Sequence, residues 1–189
     1  MPGQKEWTGV RVLLLILSIG ICYAAAAVGS YFTGLSVGTW YAVLVKPPIA
    51  PPGWFIGAVW TVLYLLMGIS LFLVLEEDRS RPEVRLGIGL FAVQLALNVV
   101  WSFLFFGLRS PPLAFLGIIL LWISVAATLL QFLKLARPAG YLLVPYLLWV
   151  TFAAGSERLD RPPEPVKGAG AGSPCPGDHG ITGSWCRKF

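Results

Sequence analysis

The strongest constraint on this chain is where its ionisable residues do not occur. No Asp, Glu, Lys, Arg or His lies between Arg11 and Lys46, Lys46 and Glu76, Arg85 and Arg109, Arg109 and Lys134, or Arg137 and Glu157. Each gap can hold a helix of the ~20 residues that cross a bilayer, the last one only just. Of the 189 residues 57% are apolar and 12% charged, which leaves too little polar surface to solvate a compact domain of this length. The expected fold is therefore all-α: a polytopic membrane protein built as a five-transmembrane-helix bundle, in which each helix satisfies its own backbone N–H and C=O groups within hydrocarbon.

The spans are expected at about 12–31, 52–75, 85–106, 111–132 and 141–154, so that residues 1–154 form the bundle. The first is a retained helix, because its apolar run from Val12 to Val28 exceeds a signal-peptide core and four more spans follow. Pro51 or Pro52 suits the first turn of span two, and Pro111 with Pro112 that of span four, since the N–H that proline lacks has no helical partner there. The connection from Phe32 to Ala50 is long for a compact bundle. It reads as a lid, or as an interfacial anchor through Trp40 and Tyr41. Span five loses its apolar run at Gly155 after about 14 residues. That is ~21 Å of helix against a hydrocarbon core of ~30 Å, a shortened fifth helix. Residues 155–189 are rich in glycine, proline and charge, a polar tail expected to be disordered.

If five spans alternate, Lys5, Arg11, Arg79, Arg81, Arg85, Lys134 and Arg137 share one side, with Lys46 and Arg109 in the opposite short loops. That distribution places the N-terminus in the cytoplasm, at the cell membrane if the chain is prokaryotic. The tail's Arg158, Arg161, Lys167, Arg187 and Lys188 run against the rule. The positive balance thus reads as topology, with no nucleic-acid partner. Spans free of ionisable groups argue against proton relays, ion-coupled transport and voltage sensing. They argue equally against a carboxylate pair, a histidine triad or a zinc site, so neither catalytic residues nor metal ligands are expected. In the tail, Cys175, His179 and Cys186 match no standard zinc spacing, and with Cys22 in the first span they make no disulfide framework.

What remains inside the spans is aromatic or weakly polar. Gln94, Asn98, Trp101 and Phe105 fall at helical spacing on one face of span three, Trp60, Tyr64 and Met67 on span two, and Tyr141, Pro145, Trp149 and Phe152 on span five. Asn98 is expected to face the bundle, because an amide in hydrocarbon needs a partner. Either a neighbouring helix or a bound ligand would supply one.

Three segments carry a family resemblance: WYAVLVKPPIAPPGWFIGAVWTVLYLLMG from Trp40 to Gly68, ALNVVWSFLFFG from Ala96 to Gly107, and LLVPYLLWVTFAA from Leu142 to Ala154. Together they resemble the translocator protein family, also called the tryptophan-rich sensory or peripheral benzodiazepine receptor family. The resemblance implies a five-helix bundle, commonly a homodimer, with a hydrophobic pocket closed by the first loop. It implies porphyrin or haem as ligand, with sterol-like molecules and membrane lipid as further partners and no required cofactor. Trp60 and Trp149 match the family's porphyrin-contact tryptophans, and Ala26, Ile56, Asn98, Trp101 and Ala153 fall near its pocket positions. The function implied is that of a sensor or regulator of tetrapyrrole handling. A transporter of porphyrin or sterol and a light-dependent protoporphyrin-degrading enzyme are the alternatives. The chain departs from the family's pattern after Ala154, where the usual Leu-Asn-Tyr-type continuation gives way to the polar tail. That switch is expected to reflect a frameshift or altered end of the reading frame, with a lineage-specific extension as the alternative. It departs again at Ala50, where mammalian members carry histidine.

Overall fold

The computed structural model describes residues 3–37 and 52–157. It contains α1 (Gly3–Val37), α2 (Gly53–Leu75), α3 (Pro82–Ser102), a π-helical turn from Phe103 to Gly107, α4 (Pro111–Leu135) and α5 (Arg137–Glu157). Five segments are long and apolar enough to cross a membrane: Gly9–Ser36, Gly53–Leu75, Pro82–Gly107, Pro112–Leu135 and Arg137–Gly155. The protein is a multi-pass integral membrane protein.

The helices close into a ring in which α1 packs on α2, α2 on α5, α5 on α4, α4 on α3, and α3 back on α1. Small residues let the backbones approach. A Cβ added at Gly68 would lie 2.7 Å from the Cα of Ile19, and one at Gly140 would lie 2.8 Å from the backbone nitrogen of Leu133. Inside the ring Cys22, Met67, Val74, Phe91, Phe132, Leu143, Tyr146 and Val150 are buried, with the Phe91 and Phe132 rings stacked at 5.9 Å. Leu13, Ile16, Leu17, Leu86, Val93, Leu120 and Leu148 face outward, as an apolar solvent permits.

Several expected boundaries move. Helix α1 runs on through Phe32 to Val37, so the first connection starts six residues later than the sequence suggests. Its final turns are pinned by contact with the end of α3: Phe32 meets Phe103 edge-on at 5.2 Å and the Ser36 hydroxyl donates to the Phe106 carbonyl. The rest of that connection, with Trp40, Tyr41 and Lys46, lies outside the described residues, as does the tail from residue 158. Helix α5 runs from Arg137 to Glu157, 21 residues rather than the expected 141–154. It gains a turn at its start because Pro138 is tolerated where no N–H is needed. It gains residues at its end because a helical turn requires backbone hydrogen bonds, not apolar side chains. Its membrane-spanning segment, 19 residues, is still the shortest of the five.

At one end of the ring Arg11 pairs with Glu76, tying the start of α1 to the end of α2. Next to it Asp78 Oδ1 accepts the backbone N–H of Ser80 at 2.9 Å, and this bond above all holds the Asp78 carboxyl below its ordinary pKa. The Gln131 amide donates to the Glu83 carbonyl at 2.9 Å, bringing α4's last turns to the start of α3. Arg11, Arg79, Arg81, Arg85, Lys134 and Arg137 therefore share one end of the bundle.

Candidate ligand-binding site

Pro52 has an extended backbone (φ −63°, ψ 149°) and lets α2 start at Gly53, which carries Ile56 and Trp60 through the first two turns. Trp60 is half-buried, and its ring is the centre of an aromatic cluster drawn from three helices. It lies 5.6 Å from Tyr64, 6.4 Å from Trp101 in a stacked arrangement and 6.2 Å from Tyr146, which meets it edge-on. Trp101 in turn stacks on Phe105 at 5.8 Å. Offset and edge-on pairs at these separations each add about 0.5–1.5 kcal/mol beyond area burial, so the wall they form is stiff.

Below that wall the polar groups pair off. The Tyr64 hydroxyl donates to Asn98 Oδ1, and Asn98 Nδ2 donates to the Tyr146 hydroxyl at 3.0 Å. Asn98 does face the bundle, at 1% exposure, and its partners are neighbouring helices. One turn along α3, the Gln94 amide nitrogen reaches Met67 Sδ at 3.7 Å.

On α5 the stripe Tyr141, Pro145, Trp149 and Phe152 lies toward the outside: Tyr141 is 64% and Phe152 39% exposed. The inward face is Ala139, Leu143, Tyr146 and Val150, all buried. Trp149 is half-buried, 5.6 Å from Phe152 and 6.5 Å from Phe55. With Ala58, Val62, Leu66, Pro145 and Leu148 it lines a groove of about 550 Å³ between α2 and α5. Trp60 and Trp149 thus sit on adjoining helices but meet different rings. Ile56 is half-buried one turn before Trp60, while Ala26 on α1 and Ala153 on α5 pack partly buried against the core.

The structure brings Trp60 and Trp101 into ring contact, with Asn98 linked to Tyr64 and to Tyr146, a residue that the sequence does not single out. A helix apolar on every side has no periodicity to mark its inner face. The one available signal was the 3- and 4-residue spacing from Ala139 to Val150, which was no stronger than that of the outer stripe.

Residues 18–155 match the TspO/MBR family, and the match ends where the polar tail begins. A tryptophan-rich protein TspO of Chlorobaculum tepidum is 45% identical over 144 residues, covering 76% of this chain and 91% of that protein. The protein CrtK of Rhodobacter capsulatus is 39% identical, covering 70% and 81%. The translocator protein of Homo sapiens is 37% identical, covering 77% and 84%.

Proposed function

The chain belongs to the TspO/MBR family, and from that premise we propose that it binds flat hydrophobic ligands, porphyrin or haem first, as a sensor or regulator of tetrapyrrole handling. The observation that carries this reading is the Trp60–Trp101 stack, an aromatic cluster backed by hydrogen-bonded tyrosines. A macrocycle laid against it gains dispersion and apolar burial with little reordering of the wall. Trp149, on the next helix, is the second contact, and Ile56, Ala26 and Ala153 border the space. The sensory role is supported by the name of a relative 35% identical to this chain, a tryptophan-rich sensory protein of Cereibacter sphaeroides.

Titration of the purified protein with protoporphyrin IX in the dark tests this. Saturable quenching of tryptophan emission is expected, weakened by Trp60→Phe and by Trp149→Phe; quenching unchanged in both variants refutes the assignment. The second reading, transport of porphyrin or sterol, is favoured by the α2–α5 groove, whose predominantly apolar lining opens to the outer surface of the bundle. Ligand accumulation in sealed vesicles would select it. The basic residues gathered at one end support an N-terminus in the cytoplasm.

A further inference from the structure

We propose that Asn98 is a positioning residue for Trp60, acting through Tyr64 and Tyr146 rather than by touching the ligand. The inference rests on the reading of Trp60 as the ligand-bearing surface. Trp60 packs against both tyrosine rings, tilted to Tyr64 (33°) and edge-on to Tyr146 (65°). Those two rings come from α2 and α5, helices that the Ser70 hydroxyl and the Ala139 carbonyl join again further along.

One side chain on α3 sets the orientation of both. Asn98 offers an acceptor to Tyr64 and a donor to Tyr146 from a single planar amide, so the two hydroxyls are held at a fixed separation. A leucine would offer neither group, and a carboxylate would offer two acceptors and a charge in hydrocarbon. Tyr64 is braced from behind by Tyr23 of α1, whose ring lies 6.5 Å away and whose hydroxyl donates to the Thr61 carbonyl at 2.9 Å. At 1% exposure the amide is covered by the groups it holds. A molecule resting on Trp60 meets rings, not the amide.

Asn98→Leu, Tyr64→Phe and Tyr146→Phe, each made in the full chain, separate positioning from contact. The first readout needs no ligand: the near-ultraviolet circular dichroism of Trp60, taken as parent minus Trp60→Phe. All three variants should reduce it. The second is dark affinity for protoporphyrin IX, which Tyr146→Phe should weaken about tenfold for one lost buried bond, and Asn98→Leu, which loses two, at least as much. If Asn98→Leu loses affinity while both phenylalanine variants bind like the parent, Asn98 touches the ligand itself and the proposal falls. An unchanged Trp60 signal in Asn98→Leu overturns it as well. Should that variant fail to fold, the two phenylalanine variants, each missing one oxygen atom, decide alone. If the parent binds no porphyrin, the proposed function fails, and the ligand-free signal still decides the role of Asn98.

Discussion

At the residue scale, the polar atoms of the core decide which side chains can move. Ser70 is fully buried on α2 and donates to the Ala139 carbonyl of α5 at 2.7 Å. Ser70→Ala should lower stability by about 1 kcal/mol, because the carbonyl loses its extra partner without gaining water; a detergent melt against the parent checks this. Trp101→Leu removes the ring paired with Trp60 and Phe105 and should weaken dark protoporphyrin binding several-fold while also lowering the melting temperature. Asn98 shows how a single residue type can be placed from sequence alone. An amide within an uncharged span has to face protein, and it does. Its tyrosine partners were not legible, because a tyrosine is tolerated on either face of a membrane helix and only the packing selects Tyr146 inward and Tyr141 outward.

At the element scale, the spans were readable from charge spacing, since a charge in the hydrocarbon is too unfavourable to appear by accident. Helix ends were less so. The extra turns of α1 come from contacts with the end of α3, and those depend on the π turn at Phe103–Gly107, where the Leu108 N–H reaches back to the Phe103 carbonyl at 2.9 Å. No local pattern announces such a turn. The close approach of α1 and α2 was likewise hidden, because Gly68 looks like the other glycines of the spans until its neighbour is known. Gly68→Ala should be destabilising by roughly 1–3 kcal/mol, as Ile19 and its backbone must retreat. Gly20→Ala, with nothing within 4 Å of the added Cβ, should be neutral or slightly stabilising. Paired thermal melts of the two variants give the contrast.

At the scale of the whole molecule, the ring of five helices combines a stiff aromatic wall on α2, α3 and α5 with an apolar groove between α2 and α5. Its basic end supports the proposed orientation, with the N-terminus in the cytoplasm. A fluorescent protein that matures only in the cytoplasm, fused before residue 1, should light up, and replacing Arg79, Arg81 and Arg85 with serine should lower that fraction. The central claim, a flat ligand held against Trp60, is tested most directly by the circular dichroism that a bound macrocycle acquires in its Soret band. Protoporphyrin IX added in the dark should gain a band that saturates with protein and shrinks strongly in Trp60→Phe. No induced band in the parent, or an equal one in Trp60→Phe, would contradict the account.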